Sequence, residues 1–557
     1  MPWTALIGAA LRTSQTRRIA RLSDTAYWSR NTAAIQATQL RGLLRRAPDT
    51  EFGRQHGFRR ILCEPDRTLA DAYRAQVPVR DYSGFRDWFT RMRDTGEPDV
   101  TWPDTVKNWA QTSGTTSGDK YMPVSPGLLA HNRKASFDIF AHAARAGLSV
   151  PGLFAGKLLF LGGSTELDTN AAGIQTGDLS GIVTPLIRWP LTEVYQPGRD
   201  IALMAHWPTK IDAMAEACLD QDIRGVFGMA SWGLVLFQKV IELARQRDPG
   251  VRSLSDVWPN LRLFVHGGVK YAPFQPRVAE VWSGSAATDI PHRLEVYPAS
   301  EAFVAMQDTP GDPGLRLCAD HGVYFEFVPV ERINDPAPEA FGAHEVEPGQ
   351  RYVVVLTTPA GLWRYILGDV VEFDTIPTGG AGGGPARLRI VGRHRHFINA
   401  FGENIIVENI ENAVVDASAQ TGARTGEFTA GPVYPGNGRR AGLELVIEWD
   451  SPAELAEPFA AVFDQAVKKY SVDYGIKRTD DLGMGPPTIT TVPMGTIHRW
   501  MESRGKLGGQ HKCPRCANHR DYIEGILSTI ADHPQRQTHT DRGRRSPKRN
   551  HTHDHRR

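Results

Sequence analysis

A chain of 557 residues, 41% of them hydrophobic, is too long for one ordinary domain and predicts roughly two to four units, or a large α/β domain with a smaller companion. Five cysteines, an odd and sparse set, argue against a disulfide framework and fit a reducing cytosol, so a cytoplasmic location is expected. The net charge of +2 hides a division: eight Lys/Arg and two Asp/Glu lie between His533 and Arg557, which leaves 56 basic against 60 acidic residues elsewhere.

No apolar run approaches the ~18 residues that span a bilayer. Ala5–Leu11 is short and arginines follow it, which predicts an amphipathic first helix rather than a signal peptide. Residues 1–90 read as helices, among them Asn31–Leu44 and Leu69–Arg74, until Pro78–Tyr82 breaks the pattern. From about 100 to 390, short apolar runs (Lys157–Leu161, Leu261–Val265, Tyr324–Val328, Tyr352–Thr357) alternate with helical stretches (Ile201–Leu219, Trp232–Arg247). That alternation predicts an α/β fold with parallel or mixed sheets covered by helices.

Gly379–Pro385 reads as a flexible hairpin loop, and Leu388–Val391 as the strand after it. A smaller α+β pattern follows: helix Val407–Ala417, strand Leu443–Trp449, helix Pro452–Tyr470 and a last helix Arg520–Ile530. The expected division is a large N-terminal domain over 1–392, a small mobile domain over 393–531, and a tail over 532–557. The tail holds five of the 18 histidines and almost no apolar residue. It cannot offset its ordering entropy and is expected to be disordered. Neither a membrane nor a nucleic-acid partner is expected. Cys513-Pro-Arg-Cys516, flanked by His511 and His519, is a lone CxxC, and no metal is expected on it.

Gln111–Lys120 carries the most chemistry. Ser113, Gly114, Thr115, Thr116, Ser117 and Gly118 offer four hydroxyls and backbone amides that can approach an anion closely, and Lys120 adds positive charge. Three residues separate Gly114 from Gly118 and Tyr121 follows the lysine, so this is not a Walker loop and a P-loop kinase is disfavoured. Four further segments accompany it in order: Glu295-Val-Tyr-Pro-Ala-Ser-Glu301; Thr357-Thr-Pro-Ala-Gly-Leu-Trp-Arg-Tyr-Ile-Leu-Gly-Asp369; Gly392-Arg393-His394 with Phe397–Glu403; and Lys506–Lys512 followed by Pro514-Arg515. An aspartate after a glycine turn, as Asp369 is, can accept hydrogen bonds from both ribose hydroxyls. Arg364 can be either a functional residue or a core ion-pair partner.

Together these segments resemble the firefly-luciferase-like adenylate-forming superfamily, and within it the auxin-responsive acyl-acid–amido synthetases. The resemblance covers roughly Thr101 to Leu527. It implies an ATP- and Mg²⁺-dependent ligase that adenylates a carboxylic acid and passes the acyl group to an amine such as an amino acid. It assigns ATP binding to Ser113–Gly118, Lys120, Tyr297 (against adenine), Ser300, Asp369 and Arg393, Mg²⁺ to Glu301, and catalysis to Lys512 with Glu301. Met229 and Trp232, in Gly225–Trp232, are candidates for the acyl pocket or for core. Glu403-Asn404 stands where plant members have Asp-Lys, so a lysine contact is missing there. A thiol acceptor such as coenzyme A, and a nucleotide-binding protein without catalysis, are the alternatives. Substrate identity and oligomeric state are not encoded in any motif.

Overall fold

The computed structural model describes residues 2–112, 120–162, 167–204, 206–268, 271–272, 274–378, 383–394, 397–398, 405–433, 442–471, 474–475, 478, 484–505, 512–517 and 519–531. The expectations for the loop 379–382, for Glu403-Asn404 and for the tail lie outside the described residues.

From Thr4 to Thr95 the chain is a succession of helices. Asp24 accepts the amide of Tyr27 at the start of Thr25–Arg46, and Thr50 accepts that of Gly53, satisfying donors that a helix leaves open. Their inner faces bring Leu40, Phe52, Phe58, Tyr73, Phe85 and Phe89 against Trp109 and Trp363. A fully buried Phe contributes about 1.5–3 kcal/mol and a cap about 1 kcal/mol, so packing chiefly holds these helices in place.

An eleven-stranded sheet forms the centre. Its order is Tyr324–Pro329, Arg351–Thr357, Tyr365–Thr375, Arg387–Arg393, Leu315–Leu317, Phe303–Gln307, His292–Pro298, Leu263–Gly267, Ile223–Phe227, Lys157–Phe160 and Tyr195–Gln196. The last five strands run parallel to their neighbours; the first seven pair antiparallel. The two halves meet at His292–Pro298. A second sheet holds Asn108–Thr112 and Lys120–Val124 as an antiparallel pair.

The predicted helix Ile201–Leu219 is two helices, Arg199–Ala202 and Trp207–Leu219. Pro208 lies in the first turn of the second, where a missing N–H is tolerated but continuity with a preceding turn is not. The sequence reading also passed over the helix Pro126–Arg145. Its apolar residues carry buried polar ones among them, such as His131 and Asp138, which blurs the periodicity.

The C-terminal part is built on the sheet Thr425–Val433, Gly442–Trp449 and Thr488–Pro493. Alternation along Gly442–Trp449 sends Leu443, Leu445 and Ile447 to one core with Phe459 and Phe463. Val446 goes to the other, with Ile497, Trp500 and Ile523. Cys516 packs in the first core and Cys513 in the second.

Candidate active site

The site gathers at the C-terminal ends of the parallel strands, where the sheet changes to antiparallel; open α/β sheets bind ligands in such a place. His292–Pro298 turns back into Phe303–Gln307 through residues 299–302, closed by the Ala299 amide donating to the Ala302 carbonyl at 2.9 Å. This turn carries Ser300 and Glu301, both buried, and Tyr297 precedes it.

Asp369 follows Gly368, whose φ of +93° suits a residue without Cβ. The carboxylate is nearly closed off from water. Its Oδ2 accepts the Tyr297 hydroxyl at 2.5 Å and its Oδ1 pairs with Arg393 Nε at 2.7 Å. Arg393 lies directly opposite on the neighbouring strand. The next residue, His394, donates its amide to the Gly368 carbonyl at 3.0 Å. Burial raises the Tyr297 pKa well above the phenolic range, and Asp369 adds to the effect; Tyr297 is therefore a fixed neutral donor.

Burial also pushes the Glu301 carboxyl upward, while Arg393 and Lys120 favour its charged form. A buried carboxylate whose charge is only partly compensated suits a hard divalent cation; Glu301 is the residue present that fits Mg²⁺. Lys120 opens its strand opposite Thr112, so the loop joining them departs from that pair. Ser113, Gly114, Thr115, Thr116, Ser117 and Gly118 lie outside the described residues. Lys120 Nζ stands 5.9 Å over the Tyr82 ring.

Lys512 comes from the C-terminal part. Gly268, with φ +82°, stands just after the strand Leu263–Gly267, and a Cβ built on it would lie 3.1 Å from Lys512 Nζ and 3.2 Å from Met229 Sδ. Crowding by protein atoms, then Arg393, lowers the Lys512 pKa, and Asp369 opposes this. The side chain remains exposed overall, so water screens part of that effect. Trp232 is buried with its ring 4.5 Å from that of His498, edge to face. It thus packs between the two parts of the molecule. Met229 approaches the same face of Gly268 as Lys512.

Arg364 is the core ion-pair residue of its two readings. It is 3% exposed, donates to Glu326 at 2.9 Å and also to the carbonyls of Arg74 and Val77. The sequence reading assigned no role to Gly268, Tyr82 or His498. The Gly-Gly after the strand signalled the first; the other two arise from tertiary contact and leave no local signal.

The fold is that of the adenylate-forming ligases. The chain belongs to the GH3 family: its residues 21–191, 316–393 and 408–521 match the models of the GH3 family N-terminal, central and C-terminal domains. The probable indole-3-acetic acid-amido synthetase GH3.1 of Arabidopsis thaliana is 24% identical, over 90% of this chain and 92% of that protein. Indole-3-acetic acid-amido synthetase GH3.8 of Oryza sativa subsp. indica is also 24% identical, over 90% and 91%. Among solved structures, GH3.15 acyl acid amido synthetase superposes with TM-score 0.74 at 18% identity, over 92% of this chain and 95% of that one. A 2-hydroxyisobutyryl-CoA ligase in the postadenylation state superposes with TM-score 0.55 at 16% identity, over 92% and 96%.

Proposed function

We propose that the protein is an acyl-acid–amido synthetase that uses Mg·ATP to adenylate a small carboxylic acid and transfers the acyl group to an amino acid. The observation that carries this reading is the approach of Lys512 to Gly268, where Arg393 and Asp369 act on its charge. Attack of a carboxylate oxygen on the α-phosphorus brings two anions together, and positioned cations lower that barrier most. Lys512 would span the carboxylate and the α-phosphate. Lys120 and the loop before it would hold the outer phosphates, Asp369 the ribose hydroxyls, and the Tyr297 ring would lie against adenine. Glu301 would hold Mg²⁺, which neutralises phosphate charge when bound. Met229 beside Lys512 would border the acid; Trp232 is placed by its contact with His498 and would act on that border indirectly.

In the second step the amine nitrogen attacks the acyl carbon, the carbon–oxygen bond to AMP breaks, and the amine loses a proton. The curated relatives named above are indole-3-acetic acid-amido synthetases, which makes indolic and aryl acids the first candidates.

The test is acid-dependent pyrophosphate release across a panel of such acids with ATP and Mg²⁺, followed by addition of amino acids or coenzyme A and mass analysis. An amide product is expected. A thioester, or no acid-dependent pyrophosphate with any acid, contradicts the proposal.

A further inference from the structure

Six large apolar side chains are exposed among the described residues, and four of them lie in two segments, Trp3 with Leu6 and Leu186 with Trp189. The rings of Trp3 and Trp189 stack 6.4 Å apart, joining segments far separated in the chain. Leu6 is one helical turn from Trp3, and Leu186 comes three residues before Trp189.

The first two helices, Thr4–Ser14 and Thr16–Ser23, present a continuous outward stripe. Trp3, Leu6, Ala10, Thr13, Arg17 and Ala20 are all exposed and follow one another at helical spacing. The opposite face is seated firmly: a Cβ on Gly8 would meet Phe154 Cβ at 2.8 Å, and Gln15 Nε2 donates to the Phe137 carbonyl at 2.6 Å. The stripe is a built surface, apolar at its N-terminal end and carrying Arg17 toward the other. Residues 2–23 contain four arginines and no acid. Arg18 is turned inward to Asp138 and Asp320; Arg17 and, beside Trp189, Arg188 are exposed. Glu193 is the lone acid between Leu179 and Arg199.

Against the expectation of no membrane partner, we propose that this face docks on an anionic lipid surface, lying on the bilayer without crossing it. Tryptophan pairs prefer the headgroup level, leucines the acyl boundary just beneath, and arginines the anionic headgroups; a short amphipathic basic element of this kind lies in the interface plane. A second copy of the chain fits less well. Four apolar side chains fall short of the roughly 800 Å² per partner of a stable protein interface, and like charges would face each other. This proposal is independent of the reaction proposed above.

The test is co-sedimentation of the full chain with vesicles of phosphatidylcholine and phosphatidylglycerol at roughly three to one, against phosphatidylcholine alone. The wild type is expected on the mixed vesicles, with binding at least about tenfold weaker for Trp3→Ser/Trp189→Ser and weaker for Arg17→Glu/Arg188→Glu. Leu6→Ser/Leu186→Ser serves if the tryptophan variant does not fold, as judged by its melting curve. The basic segment 533–557 is present in every protein, so binding that survives the apolar substitutions belongs to that segment and overturns the proposal. Absence of wild-type binding at low salt, or a tryptophan-dependent dimer in its place, overturns it as well.

Discussion

On the proposed function, Lys512 and Asp369 would act on the same nucleotide in different ways. Asp369 is already held by Tyr297 and Arg393, so its acceptor oxygens are pre-aimed. Lys512 reaches Gly268 from another part of the chain and, on the same proposal, would supply charge where it develops. Lys512→Ala is therefore expected to lower acid-dependent pyrophosphate release by about 10²–10³, with little change in ATP affinity by titration; full activity would mean another cation does this work. The lowered pKa of Lys512 sets a sign for the pH profile. The ammonium must be charged, so kcat/KM should fall as pH rises through a value below the usual lysine range, near 8. In Lys512→Arg, which stays charged, that fall should move to higher pH. A profile identical in both proteins contradicts the role. At this scale the sequence was informative where a motif is local: Tyr297, Glu301 and Asp369 could be picked out because a strand end or a glycine turn marks each. Arg364 could not be settled, because only the fold brings Glu326 to it.

Among the elements, the helix Pro126–Arg145 and the strand Leu263–Gly267 bury histidines at a measurable cost. His131 is held between the His321 carbonyl and Phe303, and burial, with His321, lowers its pKa to about 3. Burial likewise lowers His142 and His266 to about 3. These groups stay neutral in the folded protein but take up a proton when unfolded below about pH 6.5. Stability from this source is complete above that pH and is lost as pH falls from 6.5 toward 3. At pH 5 the loss is on the order of 1–2 kcal/mol for each histidine. Calorimetry should show Tm dropping between pH 7 and pH 5; a flat Tm contradicts it. The same helix shows why part of the fold was hidden. Elements with a plain pattern, such as the continuous apolar run Tyr352–Thr357 and the helical stretch Pro452–Tyr470, stood out. A helix that buries His131, Asp138 and His142 reads as too polar for core until its partners are known.

The whole molecule depends on how its C-terminal part sits on the large sheet. His498 against Trp232, Arg277 with Asp450 at 3.3 Å and Arg515 beside Phe274 join it to the rest of the chain. None of these pairs has a sequence signature, since each joins residues from separate parts of the chain. An edge-to-face aromatic pair is worth about 0.5–1.5 kcal/mol. His498→Ala is thus expected to slow adenylation by roughly two- to tenfold through misplacement of Lys512, with Tm nearly unchanged. A large drop in Tm with normal rate would make the contact purely structural.

The claim on which all of this rests is that the carboxylate itself attacks the α-phosphorus. With an acid labelled by ¹⁸O in both carboxylate oxygens and an amino acid acceptor, mass analysis of the products follows the oxygen. One ¹⁸O in AMP and one in the amide is the predicted result; label in inorganic phosphate, or AMP without label alongside a labelled amide, would contradict it.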